Sequence, residues 1–564
     1  MDNRRLILVL VFTFSLVMLW DAWQKQKNPR MNSKPVAAST AQSGSGVPVP
    51  TTSAKGTDSS FVPGAGTVAG MAKGEVVNVV TDLFTATISA QGGDIVNLEL
   101  NRYKATKDKK ALFQLFESKH QYVAQSGLIG ESLPTHKTMF KIDGGNRELA
   151  KDAKTIQIKL EAPIVNGVKV TKVYTFTRGS YLINLTYEID NGSKSEIAAH
   201  AYYQLQRDAV KPDGENFMVS TFTGPAVYTE QDKFQKISFE DIEKGRAKFN
   251  QKADNGWISM IQHYFVSAWI PQEKLAREFY VRNLDNGVKP VVAAGVIVPT
   301  AVAAPGSKVS ESVSLYAGPQ IQENLKALAK PVAEGGIGAE GLPLVVDYGW
   351  LTIVAAPIFW CLEFIHKIVG NWGWAIVLLT VGIKILFFPL SAASYRSMAK
   401  MKAVTPLMMS LRERYGHDKQ KLNMEMMNLY KTRNINPLGG CLPILVQIPV
   451  FIALYWALLG AVEMRDAPWI LWIKDLSSED PYFVLPLIMM GTMLIQTKLN
   501  PTPPDPVQAK VTMMMPFIFG AMFMFFPSGL VLYWVVNNVL SIGQQWQITR
   551  MIENGGKAAN DAKA

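Results

Sequence analysis

One lysine lies inside an otherwise apolar segment in the second half of the chain. Lys384 falls within residues 374–390, and Thr380 lies one helical turn before it on the same face. The other apolar segments carry amide and hydroxyl side chains: Gln447, Thr492, Gln496, Asn537 and Asn538. A charge at membrane depth costs roughly 3 kcal/mol, so polar groups there normally face a bundle interior or water. These residues predict a hydrophilic, positively charged groove that is open to the cytoplasm.

Two roles for Lys384 are open. In a functional role, its charge attracts acidic groups of an incoming chain while water locally thins the membrane barrier. In a structural role, it pairs with a carboxylate or extends its ammonium to the nearby cytoplasmic edge. No acid lies deep in the other apolar segments, but Pro389 and Leu390 already approach the interface. We favour the functional role.

A strongly basic stretch follows this segment. Residues 391–436 contain nine basic and three acidic residues, which the positive-inside bias places in the cytoplasm. Helical stretches at 391–415 and 419–432 with a short turn between them predict an αα-hairpin. Anionic lipid, ribosomal RNA or an acidic partner are candidate ligands of its basic residues, and the alternative is a charge cluster that only sets topology. The candidate binding residues are Arg396, Lys400, Lys402, Arg412 and Arg414.

Composition excludes several other classes of function. No GxxxxGK[ST] phosphate loop occurs in the 564 residues, which argues against an ATP-driven motor. Cys361 and Cys441 lie in apolar segments, and the six histidines are scattered, so neither a disulfide framework nor a metal site is predicted. The net charge of +11 is informative mainly through its position along the chain. No cofactor is expected.

The first 74 residues predict an anchor and a tether. Arg4 and Arg5 precede an apolar run that ends at Trp20 without a small-residue cleavage site. We therefore expect residues 1–27 to form an uncleaved signal anchor, with a cleaved signal peptide as the alternative. Residues 28–74 are rich in Ser, Thr, Ala, Gly and Pro, and this composition predicts a disordered linker.

Residues 75–344 show a period of two. Alternating apolar positions, such as Phe84, Ala86 and Ile88, separated by Gly turns predict an antiparallel β-sandwich. Helical spacing at 321–328 predicts a short helix against it. Glycoside hydrolysis needs two carboxylates at a set separation, which a sequence cannot show, and scattered acids on a sandwich usually form a solvated surface. We therefore favour a binding or scaffolding role for these residues over a carbohydrate enzyme. The acids considered are Asp94, Asp213, Glu215, Glu240 and Asp241.

Charge placement predicts the topology of the second half. A basic hairpin inside the cell requires that only one of the apolar segments at 348–368 and 374–390 crosses the membrane. Residues 345–370 contain Pro357, Glu363 and His366 and are predicted to lie in the outer interface as an amphipathic helix. Residues 371–550 then form a five-span core, and residues 551–564 form a cytoplasmic tail. The predicted fold is a polytopic α-helical membrane core with six spans and both termini cytoplasmic, joined to a periplasmic β-sandwich.

Several long motifs resemble the YidC family of membrane protein insertases. They are Asn436-Pro437-Leu438-Gly439-Gly440-Cys441-Leu442-Pro443 with Gln447-Ile448-Pro449, Tyr395-Arg396-Ser397-Met398, Ala467-Pro468-Trp469, Phe526-Pro527-Ser528-Gly529-Leu530, and in the first half Gly256-Trp257-Ile258 with Ala268-Trp269-Ile270-Pro271. The resemblance implies an inner-membrane insertase and chaperone that is not an enzyme, with a periplasmic β-supersandwich and a groove closed to the periplasm. It also implies that the protein works alone or with the Sec translocon and the translating ribosome, as a monomer that handles nascent membrane proteins.

The resemblance assigns roles to individual residues. The family's groove arginine, threonine and glutamine correspond to Lys384, Thr380 and Gln447, and a tyrosine common in the last span corresponds to Trp534. A lysine keeps the charge of the arginine but lacks its planar, bidentate fork, which leaves a plain electrostatic mechanism. Asn538 completes the predicted groove. A transporter or channel is the alternative class, and it would require inverted repeats or broken helices around a midplane site, which the sequence does not show.

Overall fold

The computed structural model describes most of the chain after residue 74. The described ranges are 75–106, 108–142, 144–212, 221–272, 274–284, 290–433, 442–500 and 506–561. Four predicted features lie outside them: the anchor at 1–27, the linker at 28–74, the acids Asp213 and Glu215, and residues 436–441 of the family motif.

The described ranges contain eighteen strands. Their bounds are β1 Val76–Val80, β2 Phe84–Ser89, β3 Ile95–Lys104, β4 Leu112–Phe116, β5 Val123–Ile129, β6 Gly145–Glu148, β7 Thr155–Glu161, β8 Val168–Thr177, β9 Leu182–Asn191, β10 His200–Asp208, β11 Gly224–Thr229, β12 Lys233–Lys236, β13 Lys252–Ala253, β14 Trp257–Gln262, β15 Phe265–Pro271, β16 Arg277–Asn283, β17 Val291–Pro299 and β18 Lys308–Pro319. In β9, Ile183, Leu185 and Tyr187 are buried while the residues between them are partly exposed. This is the pattern of a strand with one face on a core.

The strands form two sheets. The first has the order β13-β16-β17-β10-β5-β3-β2-β1-β6, with β4 paired to β3, and the second has the order β12-β11-β14-β15-β18-β9-β8-β7. Trp269 on β15 donates its indole N–H to the Gln204 carbonyl on β10 (3.1 Å), so the two sheets pack on each other. The described pairings are antiparallel except that of β1 with β6, which is parallel. The predicted antiparallel sandwich is confirmed apart from this edge, where a long connection lets the chain return in the same direction.

A buried charge pair joins the two sheets. Lys172 on β8 is fully buried, and its Nζ donates to the carbonyls of Gly92 (2.6 Å) and Ser126 (3.2 Å). It lies 3.9 Å from Asp94 Oδ1. Burial raises the pKa of Asp94 to about 7 although the charge of Lys172 opposes this, and burial lowers the pKa of Lys172 to about 8. Asp94 therefore lies in the interior of the sandwich.

The described helices follow the predicted positions closely. Their bounds are α1 Phe239–Glu243, α2 Gln322–Ala329, α3 Thr352–Val369, α4 Trp372–Leu386, α5 Phe388–Tyr415, α6 Lys419–Thr432, α7 Leu442–Gly460, α8 Val484–Leu499, α9 Pro506–Phe523 and α10 Ser528–Asp561. The short helix predicted at 321–328 is α2. The first hairpin helix, α5, begins at Phe388 rather than at Ser391, because proline is tolerated in a first helical turn. Helix α10 continues into the residues assigned to the tail.

Length and composition single out one possible membrane span. Among the described helices, α3 alone is long and apolar enough to cross a membrane by itself, and α4 and α5 pass the same test only as a pair bent by 67°. The apolar stretches 447–460, 484–499 and 509–523 are shorter. This finding favours α3 as a span, so the interfacial position of α3 and the six spans stay predictions.

The strands with α1 and α2, here called the β domain, contact the helical region through the loop between α7 and α8. Arg465 in this loop donates to the carbonyl of Lys104 (2.6 Å). Its guanidinium packs at 5.4–5.5 Å from three ring centroids, those of Phe113, Tyr264 and Phe265. Lys109 of the β domain pairs with Asp475 (2.9 Å) and Asp466 (3.1 Å) of the loop. The loop between α7 and α8 therefore lies on the same side of the helical region as the β domain.

Candidate functional site

Helix α4 carries two of the predicted groove residues. Its start is fixed by Asn371, whose side chain accepts a hydrogen bond from the Trp374 backbone N–H (3.1 Å). At its other end the chain bends by 67° into α5, where Pro389 occupies the first turn and needs no N–H partner. The bend leaves Lys384 in the last turn of α4, where the carbonyl end of a helix favours a cation.

The ammonium of Lys384 is buried against a neutral hydroxyl. The residue is 4% exposed, and its Nζ donates to Ser541 Oγ at 2.7 Å. No carboxylate forms an ion pair with it in the part of the chain that the structure describes. Thr380 is also buried, and its hydroxyl donates to the Ile376 carbonyl (2.7 Å) within α4.

Helix α10 aligns polar and aromatic side chains along one face. They recur at intervals of four, three and four residues: Trp534, Asn538, Ser541 and Gln545. Asn538 Nδ2 donates to the Thr492 hydroxyl on α8 (3.2 Å), and the Trp534 ring meets Phe451 on α7 edge to face, with centroids 4.9 Å apart. Since Ser541 binds Lys384 on α4, this face contacts α4, α7 and α8.

Of the five residues assigned to the groove, Lys384 and Thr380 lie on α4, Gln447 lies on α7, and Asn538 and Trp534 lie on α10 itself. In the described ranges, no hydrogen bond joins two of these five. Gln447 is half-buried on α7, one helical turn before Phe451. Within the described ranges, the hydrogen bond of Lys384 goes to Ser541 and not to Gln447, Asn538 or Trp534. Sequence reasoning missed Ser541, although it follows Asn537 by one helical turn and shares its face.

A second missed residue is Tyr395, at the base of the hairpin. Its side chain is buried. Its ring packs with Ala392 and with Ile548 of α10. The sequence contained one signal, because Tyr395 is the first residue of the motif Tyr395-Arg396-Ser397-Met398.

The hairpin itself consists of α5 and α6. Val404 and Met408 on α5 pack against Met426, Leu429 and Tyr430 on α6. The side chain of Asp418 caps α6 by accepting the Gln420 and Lys421 backbone N–H groups. Of the five predicted binding residues, Arg412 is half-buried. The other four are exposed: Arg396, Lys400, Lys402 and Arg414.

The remaining described acids that were considered, Glu240 and Asp241, pair with basic neighbours. Glu240 and Asp241 lie on α1, and the carboxylates of both lie within 4 Å of the Arg246 guanidinium. Glu240 also pairs with Lys244. Among the described residues, no group of three or more His, Cys, Asp or Glu side chains lies close enough to hold a metal ion.

Two family models match consecutive parts of the chain. The YidC periplasmic domain matches residues 76–361, and the 60Kd inner membrane protein matches residues 364–555. The first match covers the β domain and extends into α3. The second begins within α3 and covers α4 to α9, including the hairpin, and α10 as far as residue 555.

Relatives match the chain from end to end. The membrane protein insertase YidC of Dechloromonas aromatica (strain RCB) is 63% identical over 565 residues, with 100% of each chain covered. The insertase of the same name from Aromatoleum aromaticum is 57% identical over 565 residues, again with 100% of each chain covered. A solved structure of an active YidC insertase with its first transmembrane domain resolved aligns with 82% of this chain and 90% of its own, at 16% identity and a TM-score of 0.39. Full-length identity at this level shows that the chain belongs to the YidC family of membrane protein insertases, with a periplasmic domain and an inner-membrane helical region.

Proposed function

We propose that this protein inserts nascent membrane proteins through a hydrophilic groove around α10 that opens to the cytoplasm, and that it also helps them to fold. The groove residues are Lys384, Thr380, Gln447, Asn538 and Trp534. Lys384 offsets part of the cost of moving an acidic or polar end of the client into the membrane. Partition of the client's apolar segment into lipid then drives release without nucleotide or cofactor.

The observation that carries this proposal is the neutral partner of Lys384. A structural lysine in a low-dielectric interior is expected to pair with a carboxylate, because an uncompensated buried charge is costly. The described residues offer Lys384 a hydroxyl instead, at 2.7 Å. A cation without a protein anion retains its attraction for an anionic group of an incoming chain.

The contacts of α3 support an interfacial position for this helix. Just before its start, Asp347 forms an ion pair with Lys236 of the β domain. Near its end, Lys367 pairs with Glu323 of α2 (2.5 Å). At a rise of 1.5 Å per residue, Lys367 lies about 22 Å along the helix axis from Thr352. A helix that crossed a bilayer would carry its two ends to opposite sides. Contacts of both ends with one extracytoplasmic domain favour the six-span topology with both termini in the cytoplasm.

The hairpin is the proposed receiving surface. Its exposed cations suit anionic lipid headgroups, ribosomal RNA or acidic segments of a partner. We propose that it binds clients during translation, that the protein works alone or beside the Sec translocon, and that it acts as a monomer. The relatives are named as insertases, and we expect no enzymatic activity.

Protease protection of a single-span client in energy-free liposomes tests the groove. The client carries one acidic residue near its translocated end, and the purified full chain is compared with its Lys384→Leu and Lys384→Arg variants. Offsetting about half of the roughly 3 kcal/mol charge penalty corresponds to about tenfold more protection. We therefore expect Lys384→Leu to lose about tenfold and Lys384→Arg to retain activity.

Two comparisons control this experiment. Lys194→Leu removes an exposed lysine of the β domain and should leave insertion unchanged. A client whose acidic residue is replaced by the amide should depend less on Lys384. Equal protection by the wild type and Lys384→Leu would reject the groove mechanism, and protection no greater than in empty liposomes would reject autonomous insertion.

A further inference from the structure

Two turns of the loop between α7 and α8 expose apolar side chains from a left-handed backbone. Leu471 is 77% exposed and has a φ of 51°, and Phe483, just before α8, is 42% exposed and has a φ of 55°. This conformation is uncommon for residues other than glycine, because the Cβ atom crowds the backbone. Their neighbours Ile470 and Tyr482 are exposed as well. Ile470 with Leu471, and Tyr482 with Phe483, are here called the apolar tips.

One buried carboxylate holds both tips in place. Asp480 is 1% exposed, and its Oδ1 accepts hydrogen bonds from the Trp472 indole N–H and from the Tyr482 backbone N–H, both at 3.0 Å. Its Oδ2 accepts the Leu485 backbone N–H in the first turn of α8 (2.7 Å). The positions of the apolar tips are therefore set by the fold.

The loop lies where three helices begin. Asn371, just before α4, donates its side-chain amide to the Pro468 carbonyl (3.0 Å), and Ser528, at the start of α10, donates its backbone N–H to the Ser478 carbonyl (2.7 Å). Asp480 binds the start of α8. Since the basic hairpin follows the other end of α4, the apolar tips lie at the end of the helical region that faces away from the hairpin.

Helices α4 and α8 are short for membrane spans. They contain 15 and 16 residues. At 1.5 Å per residue their lengths are about 22–24 Å, whereas the hydrocarbon core of a bilayer is about 30 Å thick. Beside the first tip, the rings of Trp374 and Trp469 meet edge to face with centroids 5.8 Å apart, and tryptophan is enriched at membrane interfaces. Turns at the ends of such short spans lie at the level of lipid rather than in bulk water.

We propose that the apolar tips insert into the extracytoplasmic leaflet and anchor this end of the helical region in its acyl chains. The inference rests on the proposed topology, in which α4 and α8 span the membrane. Asp466 and Asp475 of the same loop pair with Lys109 of the β domain, so the loop presents charges to the β domain and apolar side chains elsewhere. Exposure of the tips to water would add a hydration cost to the backbone strain, and burial in lipid removes that cost.

Fluorescence quenching from the water and from the lipid tests this position. Leu471→Cys is introduced into the full chain, in which Cys361→Ala and Cys441→Ala remove the natural cysteines, and is labelled with an environment-sensitive dye. The chain in liposomes then meets either iodide on both sides of the membrane or lipids that carry a spin label near the glycerol end of one acyl chain. Burial of a leucine-sized group favours lipid by roughly tenfold or more, so iodide quenching at position 471 should be about tenfold weaker than at a water-exposed position. The spin-labelled lipid should quench this label strongly.

A second label and a matched control complete the design. Phe483→Cys, labelled in the same background, should give the same result and provides a second test if one variant folds poorly. Ile164→Cys is the control, because Ile164 is an apolar residue of the β domain with a similar exposure of 67%. Its label should be quenched by iodide and not by the spin-labelled lipid.

Two results would overturn the proposal. The first is iodide quenching at positions 471 and 483 that equals the quenching at position 164. The second is protection from iodide without quenching by the spin-labelled lipid, which would show that protein and not lipid covers the apolar tips.

The outcome is separable from that of the proposed function. The quenching measurement uses no client, so it reports on the apolar tips even if Lys384 proves unnecessary for insertion. Conversely, loss of insertion in Lys384→Leu together with labels that iodide reaches at both tips would keep the groove mechanism and reject the anchor.

Discussion

Glu463 is expected to make the contact between the β domain and the helical region depend on pH. It lies in the turn after α7, and its Oε1 accepts a hydrogen bond from the Gln322 backbone N–H at the start of α2 (3.4 Å). Its Oε2 is shielded from solvent and has no hydrogen-bond partner among the described residues. The carboxylates of Glu323 and Glu363 lie near enough to oppose its ionisation.

The sign of the effect follows from the raised pKa. Burial, with a smaller contribution from the two like charges, raises the pKa of Glu463 from 4.5 to about 7, against the opposing Gln322 N–H. Opening the contact returns the side chain to water, so the closed contact binds the proton more tightly. The contact is therefore most stable below pH 4.5 and loses this stability as the pH rises to about 7. The pKa difference corresponds to about 3 kcal/mol, which partial exposure of the side chain reduces to roughly 2 kcal/mol.

Hydrogen–deuterium exchange of the α2 amides measures this opening. After correction for intrinsic exchange rates, protection of α2 in the full chain should fall about thirtyfold between pH 5 and pH 8, the factor that 2 kcal/mol represents. Glu463→Gln cannot ionise and should give protection that is independent of pH. Glu334→Gln, which changes an exposed acid in the nearby turn Val332–Glu334, should keep the wild-type dependence.

Either of two results would refute this reasoning. The first is wild-type protection of α2 that does not change across this pH range. The second is an identical pH dependence in Glu463→Gln, which would assign the titration to another group. Amides of β7, the edge strand that β9 and β8 separate from β18, provide an internal reference.

Two further substitutions test the packing of each half. Lys172→Met leaves Asp94 buried without its counter-charge, so it should lower the free energy of unfolding by about 3 kcal/mol at pH 8 and by less at pH 5, where Asp94 is protonated. Circular dichroism of the detergent-solubilised chain measures this loss, and equal losses at both pH values would contradict the prediction. Gly373→Ala places a methyl group 2.1 Å from the Trp469 ring and should cost about 1–3 kcal/mol in thermal unfolding, whereas Gly382→Ala in the same helix meets no atom within 4 Å and should be neutral or stabilising.

Local patterns located most elements of the fold because they depend on residues close in sequence. The period of two gave the strands, and the apolar run at 442–460 coincides with α7, Leu442–Gly460. Which strands become neighbours depends on contacts across long connections, so the parallel pairing of β1 with β6 could not be foreseen. Helix α5 begins three residues before the predicted Ser391, because Pro389 fits the first turn of a helix.

In the loop between α7 and α8, the partners of charged residues could not be predicted from local sequence either. The sequence places five acids between residues 461 and 481, and this acidity by itself predicts only an extracytoplasmic loop. In the structure, Asp466 and Asp475 bind Lys109, more than 350 residues earlier in the chain, and Glu463 is shielded against α2. A charged residue and its partner leave no joint pattern at such separations, so sequence alone could not distinguish the buried acid from the exposed ones.

The two buried lysines show how much of the site a sequence can reveal. Lys384 is recognisable from the sequence as a buried cation because the apolar residues around it are contiguous in the chain. Lys172 was not predicted to be buried. It nevertheless alternates in step with Val170, Tyr174 and Phe176 on β8, and a strict period of two places all four on the core face. Their roles differ through partners that no local pattern specifies: Asp94 and backbone carbonyls for Lys172, and the Ser541 hydroxyl for Lys384. Loss of Lys172 would leave Asp94 buried without its counter-charge. We propose that Lys384, held by a neutral hydroxyl, can instead exchange that partner for an anionic group of a client.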